Sequence, residues 1–403
     1  MNPAVGVPTM ASLVGAIFRR YGDRTAIRTE DGFDISYTTL EDRVRRLVNG
    51  LVHGLGLRKG DRLAILADNR AEYIEVDFAC ALAGVVKVPL YVRNAPAEHL
   101  HFVTDSDSIA LVAEPEFLGP LLEAMGGDWG PLDGRVLSLD APPSDVPGVA
   151  AYEDLIGDAS AQPTVVDIDP EDYYQIRYTS GTTGQPKGAA TDHRGMVAAS
   201  IGNVMFHSLE CAIGPDDVVA HVMPFSHASA FNIAGHSWVG ATHLPISKWD
   251  PDRYLHHTEH DRISITMMAP TMIAMLVNET DSLGATDTSS LRTISYGGAP
   301  IAESVLEGAL ASFGSVFTQG YGSTETPSMV VWLEKRDHVL GSDRLQSCGL
   351  PCYWADVDTF RPDATRCDPG EIGEIWIRSP SALREYVNRP EATAAAMEHG
   401  WYH

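Results

Sequence analysis

YTSGTTGQPKG, the segment from Tyr178 to Gly188, packs five hydroxyl side chains, three glycines and one lysine into eleven residues. The glycines permit positive φ angles and bring backbone N–H groups close to a ligand. The hydroxyls add hydrogen-bond donors and the lysine adds a positive charge, so the segment suits an anion, and a phosphate chain is the predicted ligand. The predicted phosphate-contacting residues are Thr179, Ser180, Gly181, Thr182, Thr183, Gly184 and Lys187.

The residues that lead into this loop, Tyr173 to Tyr178, are aromatic and β-branched enough to predict a strand. The 178–188 loop is therefore expected to leave a strand end, where successive backbone N–H groups bind phosphates. Its spacing differs from that of a Walker A loop, which places Gly-Lys-Ser/Thr after four free residues. A flexible Ser/Thr/Gly linker is disfavoured, because a linker has little use for Pro186-Lys187 or for a preceding apolar strand.

Length and composition limit the class of protein. A chain of 403 residues with 44% hydrophobic residues is long enough for two or three domain-sized units with sizeable cores. The formal net charge of −25 argues against a nucleic acid or an anionic membrane as partner. Five cysteines without a C-x-x-C pair suggest neither a disulfide framework nor a zinc site, and no run of 18 apolar residues occurs. We therefore expect a cytoplasmic enzyme.

Strands and helices alternate along the chain. Arg62 to Leu66 and Val85 to Leu90 are predicted strands, and Tyr73 to Ala83 between them is a predicted helix. This alternation predicts an α/β fold with doubly wound parallel sheets. The expected domains are two doubly wound α/β subdomains, 1–165 and 166–340, followed by a small distorted β-barrel over 341–403.

Three further strands of the second unit are predicted to end in segments of glycine or small polar residues. These segments are Phe225–Asn232, Gly297–Pro300 and Gln319–Glu325. In an open parallel sheet the carboxyl ends of the strands share one edge, and ligands bind in the crevice outside it. We therefore expect the three segments and the 178–188 loop at one edge of one sheet. A helix capped by Thr191 or Asp192 is expected to point its N-terminus at the phosphate.

Two of these segments resemble signature motifs of the adenylate-forming enzymes, the superfamily of acyl-CoA ligases, peptide-synthetase adenylation domains and luciferases. The 178–188 loop resembles the phosphate loop of that superfamily, and QGYGSTE at 319–325 resembles its second signature. The resemblance covers nearly the whole chain and implies ATP and Mg²⁺ as cofactors, with coenzyme A as second substrate. The nucleotide-binding residues expected beyond the loop are Gly298, Ala299, Pro300, Gln319, Gly320, Tyr321, Gly322, Ser323 and Thr324.

Four residues form the predicted catalytic set. Activation of an acid by ATP brings two anions together, so charge on the α-phosphate must be neutralised. Glu325 is the predicted ligand of Mg²⁺, which prefers one or two carboxylates together with phosphate oxygens. Thr324 is predicted to donate to the α-phosphate, and the resemblance implies that His227 lies between that phosphate and the acid. Lys187 is expected either on the triphosphate or on a loop that closes during turnover.

The substrate is predicted to be a small carboxylic acid. Ala228 stands where peptide-synthetase adenylation domains usually place an aspartate for an α-ammonium group, which argues against an α-amino acid. The small residues nearby leave space for an aryl, cinnamoyl-like or medium acyl group; an aromatic acid is favoured, and an unusual acid such as nitrite stays open. The predicted acid-binding residues are His227, Ala228, Ser229, Asn232, Gly297 and Gly320.

The chain ends at His403, where enzymes of the resembling superfamily continue into a ribose-binding aspartate, a hinge and a C-terminal lid domain. We therefore expect this to be the large N-terminal part of a longer ligase, with little turnover of its own. Two functions remain open. The first is an acid-activating ligase whose acceptor is coenzyme A, a carrier protein or an amine. The second is a nucleotide- or acid-binding fragment without turnover.

Overall fold

The computed structural model describes residues 7–179, 185–279 and 281–403. The α-helices are α1 (Met10–Tyr21), α2 (Tyr37–Asn49), α3 (Ala71–Ala83), α4 (Pro96–Asp105), α5 (Pro115–Ala124), α6 (Tyr152–Asp158), α7 (His193–Cys211), α8 (Ile233–Trp238), α9 (Pro251–His260), α10 (Pro270–Asn278), α11 (Glu303–Phe313) and α12 (Pro390–Ala396). The strands are β1 (Thr25–Arg28), β2 (Asp34–Ser36), β3 (Arg62–Leu66), β4 (Val86–Leu90), β5 (Ser108–Ala113), β6 (Val136–Ser138), β7 (Val149–Ala151), β8 (Tyr173–Tyr178), β9 (Gly188–Asp192), β10 (Val218–His221), β11 (Thr242–Pro245), β12 (Ile265–Met268), β13 (Thr293–Gly297), β14 (Phe317–Tyr321), β15 (Val331–Leu333), β16 (Leu350–Pro351), β17 (Asp356–Phe360), β18 (Glu374–Arg378), β19 (Glu385–Tyr386), β20 (Met397–Glu398) and β21 (Trp401–Tyr402). None of the described helices is long and apolar enough to cross a membrane.

The first sheet has eight strands in the order β19-β9-β8-β4-β3-β5-β6-β7. Its strands from β8 to β7 run parallel, while β9 and β19 add antiparallel strands at one edge. All five residues of β4 are buried, and so are the last four of β3. Such continuous burial is expected of parallel strands covered by helices on both faces.

The second sheet has nine strands in the order β16-β15-β14-β13-β12-β10-β11-β1-β2. Its six central strands, from β14 to β1, are parallel. Strands β15 and β16 follow on one side and β2 on the other, and each of these three pairs antiparallel with its neighbour. A four-stranded antiparallel sheet, in the order β17-β18-β21-β20, forms the third unit. The predicted α/β fold with two largely parallel sheets is confirmed, and over 341–403 the structure has this four-stranded sheet in place of the predicted small distorted β-barrel.

The expectation that all four ligand segments leave one sheet is wrong. The strand before the 178–188 loop is β8, which pairs with β4 in the first sheet, whereas the other three segments follow strands of the second sheet. Conversely β1 and β2, near the N-terminus, complete the second sheet. The domain boundaries after residues 165 and 340 stay a prediction. Each large sheet contains strands from before and from after residue 165.

The helix after the loop also lies elsewhere than expected. The loop joins β8 to the antiparallel strand β9, and Asp192 caps α7 only at the far end of β9, accepting from the Gly195 N–H at 2.6 Å. Because β9 spans five residues, or roughly 17 Å at about 3.4 Å per residue, the N-terminus of α7 is remote from Gly188, where the loop ends. Asp192 is one of the two predicted capping residues, but the predicted position of this helix N-terminus next to the loop is not found.

Candidate active site

A cavity of about 320 Å³ opens where the two large sheets meet. Strand β8 of the first sheet contributes its last residues, and the second sheet contributes the carboxyl ends of β13 and β14. Helix α7 and the short 3₁₀ helix Ala228–Asn232 cover the remaining sides. The lining residues are Arg177, Tyr178, Asn203, His207, Met223, Ser226, His227, Ala228, Phe231, Asn232, Met267, Ser295, Gly297, Gly298, Gly320, Gly322, Ser323, Thr324, Ser328, Met329 and Trp332.

Two paired glycines form the edge of the cavity. Gly297 ends β13 and lies opposite Gly320 of β14. A Cβ atom on Gly297 would stand 2.4 Å from the Gly320 carbonyl oxygen, and one on Gly320 would stand 2.4 Å from Met329 Sδ. Any side chain at either position would therefore fill space that the strands and the cavity need.

A second cavity of about 720 Å³ adjoins the first. Gly298, Gly320 and Gly322 line both cavities. The second cavity gathers the residues predicted for adenine, while the first gathers those predicted for the acid. The predicted nucleotide residues in the second cavity are Gly298, Ala299, Pro300, Gln319, Gly320, Tyr321 and Gly322.

The first cavity brings together most of the predicted acid site. It contains His227, Ala228, Asn232, Gly297 and Gly320, with Thr324 and Ser323 beside them. Ser229 is the exception, because it is buried behind the wall and its Oγ pairs with His221 Nδ1 at 2.8 Å. Its predicted contact with the acid stays without support from the geometry.

His227 is exposed at the cavity, and its ring packs edge-on against Tyr91 at 4.6 Å between centroids. Its Nδ1 lies 3.0 Å from Ser226 Oγ. Desolvation within the concave site, helped by the positive charge of Arg177, lowers the pKa of His227 to about 4. The ring is therefore neutral near pH 7, so it can donate one hydrogen bond and accept another.

Arg177 is a site residue that the sequence reasoning missed. Its guanidinium is buried and donates to the carbonyl oxygens of Ser226 at 2.9 Å, of Phe225 at 3.4 Å and of His227. It also packs over the Phe231 ring at 4.3 Å. Burial lowers the pKa of Arg177 to about 10, which leaves it charged near pH 7. A cation inside a buried strand that is otherwise uncharged and rich in tyrosine was the available signal.

Glu325 lies just beyond the cavity in a shell of tyrosines. It is buried, and its Oε1 accepts from the Tyr386 hydroxyl at 2.8 Å. Burial, followed by the Glu325 charge, raises the pKa of Tyr402 to about 12. Lys187 approaches the same cluster, with its Nζ 5.0 Å from the centre of the Tyr386 ring. The predicted metal ligand and the predicted loop lysine thus meet at one tyrosine.

The base of the 178–188 loop is closed by two hydrogen bonds between its ends. The Thr179 N–H donates to the Lys187 carbonyl at 3.0 Å, and the Lys187 N–H donates to Thr179 Oγ1 at 3.3 Å. The predicted phosphate residues from Ser180 to Gly184 lie outside the described residues.

The carboxylate of Glu325 fits the predicted cation. Within the described part of the chain, no group of three or more His, Cys, Asp or Glu side chains could hold a metal ion. A single hard carboxylate suits Mg²⁺, which keeps several waters and takes its other ligands from substrate phosphates. The cation would therefore depend on bound nucleotide.

A buried histidine pair lies at the inner wall of the first cavity. His207 Nδ1 is 3.0 Å from His236 Nε2, and His207 Nε2 is 3.1 Å from Ser295 Oγ. Burial lowers the pKa of His207 to about 4 and that of His236 well below its ordinary value. The sequence analysis did not single out His207 or Ser295, although Ser295 shares a strand face with Gly297.

The profile of the AMP-binding enzyme family matches residues 16–387. The chain belongs to the AMP-binding enzyme family. The feruloyl-CoA synthase of Amycolatopsis sp is 33% identical to this AMP-binding enzyme over 381 residues, which cover 94% of this chain and 72% of that protein. Indoleacetate–CoA ligase of Aromatoleum aromaticum is 29% identical over 382 residues, covering 94% of this chain and 72% of that protein. The predicted resemblance to acyl-CoA ligases is confirmed.

Solved structures agree with this AMP-binding fold. The amide bond synthetase McbA from Marinactinospora thermotolerans superposes with a TM-score of 0.84 at 26% identity, covering 98% of this chain and 75% of that one. The N-terminal domain of FACL13 from Mycobacterium tuberculosis superposes with a TM-score of 0.85 at 24% identity, covering 98% and 94%. The second likeness supports the fold alone.

Proposed function

We propose that this AMP-binding enzyme activates a carboxylic acid as an acyl-adenylate and passes the acyl group to the thiol of coenzyme A. The observation that carries the proposal is the pair of adjoining cavities that meet at Gly298, Gly320 and Gly322. The larger cavity would hold adenine and ribose, and the smaller one would hold the acid. The shared glycines would let the α-phosphate and the carboxylate approach each other without an intervening side chain.

In the first step a carboxylate oxygen attacks the α-phosphorus of ATP and pyrophosphate leaves. Thr324 would donate a hydrogen bond to the α-phosphate, and neutral His227 would orient the acid at the mouth of its cavity. Positioning of this kind supplies much of the rate of phosphoryl-type transfers, because the reacting atoms must lie in line. In the second step a thiolate attacks the acyl carbon and AMP leaves.

Glu325 and Lys187 would serve the phosphates. Glu325 would hold Mg²⁺, which when bound neutralises phosphate charge. Lys187 would add a positive charge from the loop. Both side chains contact Tyr386 from β19, so this strand would set the position of the phosphate groups relative to the acid.

The proposed acid is aromatic and the proposed acceptor is coenzyme A. Two of the similar proteins are a feruloyl-CoA synthase and an indoleacetate–CoA ligase, whose names refer to acids that carry an aromatic ring. A carrier protein remains the second candidate acceptor, because a fatty acid–acyl-carrier-protein ligase of Streptomyces coeruleorubidus is 29% identical over 385 residues. Nitrite as an unusual acid has no such support.

Acid-dependent exchange of pyrophosphate into ATP tests the first step. We expect exchange with aromatic acids in the presence of Mg²⁺, and a loss of roughly 10²-fold in rate for Thr324→Val and for His227→Ala. Thr271→Val, at an exposed position of α10, is the matched control and should keep the wild-type rate.

Calorimetric measurement of ATP and acid binding distinguishes the proposed ligase from the alternative, a binding fragment without turnover. If ATP and the acid bound but neither this chain nor a version extended beyond His403 catalysed exchange, the activation proposal would be wrong and the binding-module alternative would stand. Binding of neither ligand would contradict both. Release of AMP on adding coenzyme A, but not on adding a carrier protein that bears a free phosphopantetheine thiol, would support the proposed acceptor.

A further inference from the structure

The acid cavity has two layers along the paired strands β13 and β14. Gly297 and Gly320 face each other at the strand ends, and Ser295 faces Thr318 two residues further in. Alternate residues of a strand point to the same face, so Ser295 lies on the face of Gly297 but about 6.6 Å deeper. An acid whose carboxylate lies at the strand ends would therefore extend toward Ser295.

The inner layer carries a hydrogen-bonded relay. His236, His207, Ser295 and Thr318 are all buried and follow one another, with His236 Nε2 at 3.0 Å from His207 Nδ1 and His207 Nε2 at 3.1 Å from Ser295 Oγ. Thr318 Oγ1 donates to Ser295 Oγ at 3.0 Å. His207 and Ser295, the two middle members, line the cavity, so the relay reaches the ligand at Ser295.

The direction of the relay follows from His236. Its Nδ1 is buried with no hydrogen-bond partner among the described residues. A proton there would be a buried unpaired donor, which costs the full desolvation of an N–H group. The His236 proton therefore belongs on Nε2, where it is donated to His207 Nδ1, and the proton of neutral His207 belongs on Nε2.

A competing arrangement would place the His207 proton on Nδ1, where it would be donated to the backbone of Asn203. A hydrogen bond to this backbone acts to raise the pKa of His207. That arrangement would force the His236 proton onto its unpartnered Nδ1. The first arrangement costs only an unpaired acceptor and is preferred. Ser295 Oγ then accepts from both His207 and Thr318, and its own O–H stays uncommitted within the cavity.

Most of the other side chains that line the cavity are apolar or aromatic, and the side-chain amides of Asn203 and Asn232 line it as well. Met267, Met329, Phe231 and Trp332 line it. Flat aromatic and thioether walls suit a planar ring. The uncommitted Ser295 hydroxyl suits a ligand oxygen, and the buried Trp332 N–H also has no hydrogen-bond partner among the described residues.

We propose that the acid is aromatic and carries an oxygen substituent at the far end of its ring, which accepts a hydrogen bond from Ser295. This inference rests on the proposed function and names its substrate class. His207 and His236 are positioning residues, which fix the Ser295 hydroxyl as a donor. An acid without the oxygen would leave that buried donor unpaired, and we expect at least a tenfold loss in apparent affinity.

Matched pairs of cinnamates and benzoates test the inference through acid-dependent pyrophosphate exchange and calorimetric binding. The pairs are hydroxyl against methyl and methoxyl against ethyl at ring positions 3 and 4, because the members of each pair are similar in size. We expect the oxygen-bearing acid to be favoured at least tenfold in both pairs by the wild-type chain. Ser295→Ala should lower this ratio to about one.

Ser237→Ala is the matched control. Ser237 Oγ contacts a buried histidine, His243, at 2.8 Å, but it lies outside the acid cavity. The preference of Ser237→Ala for the oxygen-bearing acid over its hydrocarbon partner should equal that of the wild type. Because each preference is a ratio measured within one variant, partial loss of folded protein cancels.

A wild-type ratio near one, or a ratio unchanged by Ser295→Ala, would overturn the inference while acid-dependent exchange still supported the proposed function. Preference for hydroxyl without preference for methoxyl would overturn the donor direction. Activation of no acid would contradict the proposed function itself.

Discussion

At the scale of single residues, Arg177 links the two sheets at the site. It belongs to β8 of the first sheet, yet its donors reach three consecutive carbonyl oxygens, at residues 225–227, in the segment that follows β10 of the second. No carboxylate is among the hydrogen-bond partners given by the described residues. A buried cation without a counter-ion is costly, since its desolvation is offset by backbone carbonyl dipoles, the Gln175 amide oxygen and the Phe231 ring rather than by an opposite charge. Such an arrangement favours an anion arriving in the cavity.

The charge of Arg177 should be measurable on its neighbour. Burial is the main cause of the lowered pKa of His227, and the Arg177 charge is the second cause. Arg177→Met removes that charge with little change in side-chain length, so we expect the pKa of His227 to rise from about 4 toward its ordinary value. An NMR titration of labelled histidine rings would follow it, with His227→Gln identifying the signal.

Arg336→Met provides the control for this titration. Arg336 is exposed and pairs with Glu334, so its loss removes the same charge from the surface. The pKa of His227 should stay at the wild-type value in this variant. An equal rise of the His227 pKa in both variants would mean that the net charge of the protein sets this pKa. The conclusion that the nearby Arg177 charge lowers it would then be wrong.

At the scale of elements, the pairing of β13 with β14 depends on glycine at both strand ends. Gly297→Ala would place a methyl group 2.4 Å from the Gly320 carbonyl oxygen, and a backbone atom of a central strand can move only with the sheet. We expect a loss of about 1–3 kcal/mol in unfolding free energy together with weaker binding of the acyl-adenylate. Urea unfolding and calorimetry with a sulfamoyl analogue of the adenylate measure the two effects.

Gly157→Ala is the comparison for the same chemical change. Gly157 is exposed in α6, and a Cβ there would meet no atom within 4 Å. Alanine in a helix should raise the stability by about 0.5–1 kcal/mol. If Gly297→Ala proved as stable and as competent in binding as the wild type, the close approach of β13 and β14 would not matter for the site.

The sequence predicted the ligand-binding segments best where close approach to a ligand requires many glycines and hydroxyl side chains in a short stretch. The glycine and hydroxyl segments after β13, β14 and β8 were predicted as ligand segments, and two of them border the adjoining cavities. Their sheet membership could not be predicted in full, because strand pairing depends on contacts between distant residues. Ser295 and His207 were missed for a related reason, since a lone serine or histidine in an apolar run has the same local pattern whether or not it meets a cavity.

At the scale of the whole molecule, histidine burial affects stability toward acid. The sequence has 15 histidines, and several lie in the interior of the second sheet or beneath the first. Burial lowers the pKa of His193 and His207 to about 4 and that of His243 to about 3. In the unfolded chain the same side chains have a pKa near 6.5. Between these values the unfolded state binds protons that the folded state does not bind.

The stability of the fold should therefore be fully present above about pH 6.5 and should decrease as the pH falls toward 4. Each such histidine contributes roughly 1 kcal/mol per pH unit to this slope, which urea unfolding at pH 7, 6 and 5 would measure. His243→Gln keeps a polar side chain beside His221 and Ser237 but cannot titrate, so it should reduce the slope whatever it does to the stability at pH 7. His53→Gln, at an exposed position, should leave the slope unchanged. A slope in His243→Gln equal to that of the wild type would mean that His243 does not stay neutral in the folded protein as its burial requires.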